Sequence, residues 1–174
     1  MAEKYALAML ISGGQTGVDR AALDFAISSG IAHGGWCPRG RRAEDGVIPR
    51  QYCLIEADAP VYQQRTRLNV RDSQATLIFC DSRRRSRGTA LTIKCAAGMH
   101  KPFMVVDIDN YNHEEILKWL WLVQPKILNV AGPRAGESGR AAAVAESVLA
   151  AVICADKELA VGWPPKKPVT PDLF

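Results

Sequence analysis

The sequence has little of what a metal centre, a disulfide framework or a membrane span requires. Its 174 residues include only three histidines and five cysteines, and no two cysteines form a C-x-x-C pair. An odd number of scattered cysteines predicts reduced thiols, most of them buried. No apolar run is long enough to cross a bilayer, and the N-terminal residues show no signal-peptide pattern. These features predict a cytoplasmic protein with no role at a membrane.

Aromatic residues are also scarce, at 7% of the chain, and the net charge is a modest +4. A nucleic-acid-binding surface would need a broad basic face with aromatic side chains for base stacking. The basic residues instead cluster in two glycine-bearing loops, Arg39–Arg42 and Arg83–Arg87. The charge pattern therefore favours a small polyanion over RNA or DNA as the ligand. For the second cluster, a solvated basic loop is the alternative.

Short apolar runs, partly β-branched, alternate with helical patterns along the chain. Such alternation is typical of an α/β protein whose parallel strands are buried on both faces. The predicted strands are 7–11, 75–80, 102–107 and 126–130, with further candidates at 32–36 and 52–56, and the predicted helices are 18–29, 63–71, 88–98, 113–122 and 139–155. We expect a Rossmann-like parallel sheet flanked by helices, in a single ligand-binding domain of residues 1–158. A proline-rich tail, residues 159–174, is expected to be extended.

A glycine-rich segment, Ser12–Arg20, separates the first predicted strand from the first predicted helix. Its glycines permit a tight turn and the close approach of a ligand, and the free amides at the start of a helix favour an anion. The glycine spacing fits neither the G-x-G-x-x-G dinucleotide motif nor a P-loop. We therefore predict a phosphate site without assigning NAD or ATP. The alternative is a strand-to-helix turn in which Thr16, Asp19 and Arg20 only cap the helix.

Two more predicted strands are followed by loops of similar composition. Residues 81–89 follow the strand that ends at Cys80, and residues 131–139 follow the strand that ends at Val130. Because the carboxyl ends of parallel strands meet at one edge of a sheet, all three loops should border one crevice. The sequence therefore predicts a binding site for a phosphate-bearing small molecule at that edge.

Four segments together resemble the molybdenum cofactor carrier family, whose members look like circularly permuted YpsA-type relatives of the LOG (lysine-decarboxylase-like) and SLOG Rossmannoid proteins. They are Ser12–Arg20, Gly35–Gly46, Arg65–Val70 and Gly88–Thr92. The resemblance covers about residues 7 to 135 and depends on motif order as well as spacing. It implies a Rossmann-like domain that forms homo-oligomers and binds a nucleotide-like or pterin phosphate. For some members it implies storage of the molybdenum cofactor (molybdopterin) and its delivery to a molybdoenzyme acceptor.

The resemblance also implies roles for individual residues. The cofactor's terminal phosphate would bind the amides of the glycine-rich segment, with an arginine as charge partner. The candidate ligand-binding residues are Gly13, Gly14, Gln15, Thr16, Gly17, Arg20, Arg39, Glu44, Asp45, Arg65, Asn69, Gly88, Thr89, Gly132 and Arg134. No catalytic residue and no metal ligand is predicted.

Two pairs in this set have alternative explanations. Glu44 and Asp45 could contact a ribose or the amino edge of a pterin, or could be surface anions that balance neighbouring arginines. Arg65 and Asn69, four residues apart on a predicted helix, could close over the crevice or could lie on a solvated helix surface.

The chief alternative is an enzyme, because LOG-type proteins cleave the glycosidic bond of nucleoside monophosphates. Their loop carries Gly-x-Gly-Thr followed by a glutamate, whereas here Ser86 replaces the first glycine and Thr92 replaces the glutamate. A threonine cannot act as a general acid or base near neutral pH as a carboxylate does. A carrier is therefore favoured over a LOG-type phosphoribohydrolase, which stays the second hypothesis, and a nucleotide sensor is the third. We also expect Gly14→Asp to abolish ligand binding with little loss of folded protein, and Thr92→Glu to be tolerated.

Overall fold

The computed structural model describes residues 4–84 and 86–155. The strands are β1 Tyr5–Leu7, β2 Met9–Ile11, β3 Ala32–Gly34, β4 Trp36–Cys37, β5 Arg42–Ala43, β6 Gly46–Val47, β7 Ile55–Glu56, β8 Ala75–Cys80, β9 Phe103–Asp107, β10 Ile127–Ala131 and β11 Ile153–Ala155. The helices are α1 Val18–Ser28, α2 Tyr62–Asp72, α3 Arg87–Gly98, α4 His113–Val123 and α5 Ala141–Val152.

A parallel sheet of five strands, in the order β3-β2-β10-β8-β9, is the centre of the fold. Its middle strands are apolar except for Thr76 and Asn129. Residues 75–79 of β8 are fully buried because helices cover the sheet. Helices α1 and α5 pack together, as do α2 and α3. The prediction of a Rossmann-like α/β domain is confirmed.

Two predicted elements differ from the structure in a way that changes the topology. The run 7–11 is broken at Ala8, so that β1 and β2 are separate strands. The last predicted helix ends at Val152, and the next three residues form β11, which pairs in parallel with β1. The alanine-rich stretch has a high helix propensity, but the helix ends before Ile153 because this residue pairs with a neighbouring strand. The predicted tail, 159–174, lies outside the described residues.

Residues 35–59 leave the central sheet and carry two small strand pairs, parallel β4–β7 and antiparallel β5–β6. The excursion begins at Gly35, where φ is +131° and an added Cβ would lie 2.0 Å from the carbonyl oxygen of Ser12. Only glycine fits such a close approach of two chains. The excursion places the β5–β6 turn, Glu44 and Asp45, against the carboxyl end of the central sheet.

None of the helices within residues 4–84 and 86–155 combines the length and the apolar character that a membrane span needs.

Candidate ligand-binding site

A cavity of about 210 Å³ lies at the carboxyl end of the sheet. It is bordered by the loop after β2, the first turns of α2 and α3, and the loop after β10. The lining residues are Gln15, Tyr62, Gln63, Arg65, Thr66, Ser86, Arg87, Gly88, Leu91, Gly132, Arg134 and Glu137. The structure thus brings five residues of the predicted set into one cavity: Gln15, Arg65, Gly88, Gly132 and Arg134. Because these come from four separate segments, the crevice predicted from the loop order is present.

Arg65 of α2 lies beside the glycine-rich loop at Gly13. An added Cβ on Gly13 would lie 2.1 Å from Arg65 Nη1, so the glycine makes room for the guanidinium. Arg65 Nη1 donates to Asp19 Oδ2 at 3.2 Å. Arg65 Nε is buried and has no hydrogen-bond partner in the described part of the chain. A buried donor without an acceptor is rare in folded proteins, and this one borders a cavity.

Asp19 gives Arg65 its position. The carboxylate is 2% exposed and also accepts the amide of Gln15 at 3.3 Å. Burial raises the pKa of Asp19, while Arg65 and the Gln15 amide act in the opposite direction. The sequence places Asp19 in the first turn of a helix, whereas its pairing with a residue of α2 depends on the tertiary fold.

The N-terminus of α3 also faces the cavity. Ser86 caps this helix, and its Oγ accepts the amides of Gly88 and Thr89 at 3.2 and 3.4 Å. Arg87 and Gly88 line the cavity from the first turn of the helix. The positive end of a helix dipole and three arginines, Arg65, Arg87 and Arg134, therefore border the same space. This combination favours an anionic group.

The amides of the glycine-rich loop are largely used within the protein. Gln15 Oε1 accepts the amide of Thr16 at 3.0 Å and that of Glu44 at 2.9 Å. The first amide of α1, on Val18, donates to the carbonyl of Pro133 at 3.1 Å. These bonds join the loops after β2 and β10 and make the loop a packing element as well as a candidate anion site.

Two glycines permit that packing. Gly17 has φ +80°, and an added Cβ would lie 2.4 Å from the Pro133 carbonyl oxygen. A Cβ on Gly132 would lie 2.8 Å from Val18 Cγ2. Either substitution would push the two loops apart, so these glycines have a structural role whether or not a ligand binds.

Glu44 connects three parts of the site. Its carboxylate accepts the hydroxyl of Thr16 and the amide of Gly136, the latter at 3.0 Å, and lies 3.5 Å from Arg134 Nε. The Thr16 hydroxyl and the Gly136 amide, together with Arg134, hold the pKa of Glu44 below its usual range. Thr16 in turn accepts the amide of Ala135 at 3.2 Å. The Thr16 hydroxyl and the Gly136 amide are therefore already bound to an anion of the protein itself, the Glu44 carboxylate.

Asp45 and Arg20 form a second link from the same turn. Arg20 Nη2 donates to Asp45 Oδ1 at 2.8 Å, Nη1 donates to Oδ2, and Nε donates to the Gly14 carbonyl at 3.1 Å. The Arg20 hydrogen bonds lower the pKa of Asp45. Neither residue lines the cavity. The prediction that Arg20 balances a bound phosphate is untested, but here its charge is paired with Asp45.

Three other predicted residues lie apart from the cavity. Gly14 faces Leu54 rather than the open space. Arg39 is exposed in the turn after β4. Asn69 is 2% exposed, and its side-chain amide bonds both the N–H and the carbonyl of Trp36, at 2.8 and 3.0 Å. The expectation that Arg65 and Asn69 close over the crevice together is therefore wrong for Asn69, because both polar atoms of its side chain are used by the main chain of Trp36.

Two buried threonines of α3 have different surroundings. Thr89 does not line the cavity between α2 and α3, but it lines a neighbouring cavity. Thr92 is 3% exposed, and its hydroxyl donates to the carbonyl of Gly88 at 2.9 Å. A glutamate at this position would bury a carboxylate, so Thr92→Glu is expected to destabilise the fold, contrary to the expectation from sequence.

Sequence reasoning missed several lining residues. Tyr62, Gln63 and Thr66 belong to the first turns of α2, and Glu137 pairs with Arg134 at 3.5 Å. The motif at residues 65–70 drew attention to α2, but the helix begins earlier than predicted. Within the described residues, no three His, Cys, Asp or Glu side chains are grouped so that they could hold a metal ion.

Comparisons with known proteins give the family and the fold of the chain. The model of the circularly permutated YpsA SLOG family matches residues 10–153. Among solved structures, the chain is similar to the crystal structure of "Putative molybdenum carrier protein" from Syntrophus aciditrophicus, with 41% identity and a TM-score of 0.81. The match covers 86% of this chain and 97% of that one. No curated protein matches the chain.

Proposed function

Since the chain belongs to the circularly permuted YpsA SLOG family, we propose that it is a carrier that binds the phosphate group of a small molecule in the cavity between α2 and α3. The molybdenum cofactor is the proposed cargo, because a similar structure is named for a molybdenum carrier. The carrier role requires no chemistry on the ligand: the protein holds the cargo, shields it and releases it to a molybdoenzyme acceptor.

The observation that carries the proposal is the buried Nε of Arg65, which has no acceptor in the described part of the chain and borders the cavity. The N-terminus of α3 and the exposed Arg87 face the same space. A phosphate oxygen would provide the missing acceptor and would be stabilised by the helix dipole. The residues present therefore fit the phosphate end of such a ligand.

Cleavage of a nucleotide is less well supported. The position of the LOG glutamate is held by Thr92, whose hydroxyl is bonded to the Gly88 carbonyl. The carboxylate that lines the cavity, Glu137, lies 3.5 Å from Arg134 Nε and accepts the Arg134 amide at 3.3 Å. Glu137 is thus held by the guanidinium and the main chain of Arg134. We therefore propose ligand binding, and not hydrolysis of the ligand, as the function.

The test begins with protein purified gently and without oxygen. Native mass spectrometry, followed by analysis of molybdenum, pterin and phosphate released on denaturation, should find a pterin with molybdenum. A released nucleotide would favour the sensor and would call for a turnover assay. If the protein retains no ligand, the phosphate site is tested by titration with inorganic phosphate.

Variants locate the site. Arg87→Gln removes an exposed cavity cation, and Arg67→Gln removes an exposed cation that lies two residues from Arg65 and lines a different groove. Loss of one charge-assisted contact should weaken phosphate binding by about tenfold in the first variant and leave it unchanged in the second. Equal binding by both variants would place the anion elsewhere.

A further inference from the structure

The run of arginines before α3, Arg83–Arg85, has no part in the proposed function. It is followed directly by Ser86, which is the only serine or threonine in the sequence with three basic residues immediately before it. Protein kinases select their substrates largely by the charges around the acceptor hydroxyl, and a serine behind a run of arginines is the pattern that arginine-directed kinases select. Ser82, in the same loop, follows Cys80 and Asp81 instead.

The backbone makes Ser86 accessible to such an enzyme. Ser86 is half-buried and extended, with φ −82° and ψ 135°. Arg84 and Arg87, on either side of it, are exposed, and the Arg83 side chain is 71% exposed although it pairs with Asp109 at 3.1 Å. Modifying enzymes reach side chains in surface loops of this kind. The arginines and the acceptor hydroxyl are thus presented on the folded protein.

The start of α3 has donors for a phosphate on this oxygen. Ser86 Oγ already accepts the amides of Gly88 and Thr89, at 3.2 and 3.4 Å. Thr89 is 8% exposed, and its Oγ1 has no hydrogen-bond partner in the described part of the chain. The two other buried threonines on helices, Thr66 and Thr92, each donate to a carbonyl of their own helix. A buried hydroxyl without a partner is rare, and an oxygen attached to Ser86 would give this one an acceptor.

A second cavity, of about 370 Å³, gives a phosphate on Ser86 the space it needs. The cavity borders β9, the edge strand of the sheet, and both Ser86 and Thr89 line it. Arg84 adds a guanidinium to the lining, and Asp81 adds a carboxylate that is already hydrogen-bonded within the protein. The rest of the lining is Ser82, Cys80 and apolar side chains. A cation and an unused donor therefore border the space beside the Ser86 hydroxyl.

We propose that Ser86 is a phosphorylation site for an arginine-directed serine kinase. In the transfer, Ser86 Oγ forms a bond to the γ-phosphorus of a nucleoside triphosphate. The bond from that phosphorus to the bridging oxygen breaks, the nucleoside diphosphate leaves, and the hydroxyl proton passes to a base of the kinase. The phosphoserine is then stabilised by the dipole of α3, the Thr89 hydroxyl and the neighbouring arginines.

This modification would also act on the proposed anion site. Ser86 lines the cavity between α2 and α3 as well as the second cavity. A phosphate at position 86 adds negative charge to the N-terminus of the helix that borders both spaces, so a free anion should bind the first cavity less tightly. The site itself goes beyond the proposed function and does not depend on it.

The test incubates the full-length protein with ATP and the catalytic subunit of an arginine-directed serine kinase, and locates the product by intact mass and peptide mapping. One phosphoryl group should be added, at Ser86. Ser86→Ala should abolish its incorporation and Ser82→Ala should not. Joint replacement of Arg83 and Arg84 by glutamine should slow incorporation at least about tenfold, as expected when charge-assisted contacts to the kinase are lost. Arg140→Gln, which changes an exposed arginine outside the run, is the matched control and should leave the rate unchanged.

A second pair of variants measures the effect on the anion site. Aspartate and asparagine cap helices equally well, so Ser86→Asp and Ser86→Asn differ mainly in charge. Ser86→Asp should bind inorganic phosphate about tenfold more weakly than Ser86→Asn, a difference of about 1.4 kcal/mol. Thermal melting of both variants checks that the fold is kept.

The outcomes separate this inference from the proposed function. If the folded protein gains no phosphate at Ser86, the inference is overturned, and modification of a peptide of residues 80–90 under the same conditions would show that the fold shields the serine. If Ser86 is modified but Ser86→Asp and Ser86→Asn bind phosphate alike, the modification site is supported and its effect on the anion site is refuted. If wild-type protein binds no phosphate, the proposed function fails while the kinase assay still decides the modification site.

Discussion

Arg65→Met would leave Asp19 without its cationic partner. Methionine keeps an unbranched apolar chain, whereas the 3.2 Å contact to the 2% exposed carboxylate is lost. Removing one partner of a buried ion pair typically costs about 3–5 kcal/mol. We expect the lower end, about 3 kcal/mol, because the Arg65 side chain is 15% exposed and water can reach the pair. For a domain of this size the melting temperature should fall by roughly 6–12 °C.

The loss should depend on pH. Burial already raises the pKa of Asp19, and Arg65 opposes that rise, so the pKa in the variant should be higher still. When an acid has a higher pKa in the folded state than in the unfolded state, the folded state binds more protons. The free energy of unfolding then decreases as the pH rises from the unfolded pKa to the folded one. The variant should therefore be most destabilised at neutral pH and recover towards about pH 4, the ordinary range of aspartate.

Urea unfolding of wild type, Arg65→Met, Asp19→Asn and the double variant, each at several pH values, measures this. Asp19→Asn in the Arg65→Met background should restore part of the lost stability at neutral pH, since no buried charge remains. A loss in Arg65→Met that is the same at every pH, and simply adds to that of Asp19→Asn, would refute the argument that the pair is buried and coupled.

Two further predictions concern the loops around the cavity. Glu44→Ala should speed hydrogen exchange of the amides in residues 42–47, because about 1–2 kcal/mol of hydrogen bonding to Thr16 and Gly136 is lost. The control variant Glu137→Ala removes the same charge and should leave the exchange rates of these amides unchanged. Equal effects of the two variants would show that Glu44 does not hold the turn. Gly14→Ala should lower the free energy of unfolding by at least about 1 kcal/mol more than Gly30→Ala does. Both glycines have a similar positive φ, but only a Cβ on Gly14 meets neighbours in a packed interior. Equal melting temperatures of the two variants would support the earlier expectation that position 14 tolerates a side chain.

The fold was predictable where local signals are strong. The strand 75–80 matches β8 at both ends because polar residues bound a continuous apolar run, and α1 begins at the predicted Val18. The candidate strand 52–56 contains β7 and the candidate 32–36 reaches the first residue of β4, whereas β5 and β6 were missed because two-residue strands show no periodicity. The role of Asn69 could not be read either, since its partner is the main chain of Trp36, 33 positions away.

The candidate site also has features that the sequence predicts and features that only the tertiary fold determines. The sequence indicated the three loops and Arg65, and the topology brings them together. It drew attention to Glu44 as one of an acidic pair, but not to its contacts with Thr16 and Gly136, which are 28 and 92 positions away. The phosphate contacts, homo-oligomerisation and cytoplasmic location stay predictions.

The pairing of β1 with β11 makes the described chain nearly a closed loop. Tyr5 lies beside Ile153 and Leu7 beside Ala155, so the first and last strands are neighbours. A connector of about a dozen residues, the usual minimum for joining parallel strands, could link Ala155 to Tyr5, and new ends could be opened in an exposed loop. The same strand contacts can form when the chain begins at a different loop. This is a physical reason why proteins with different orders of sequence segments can share one architecture.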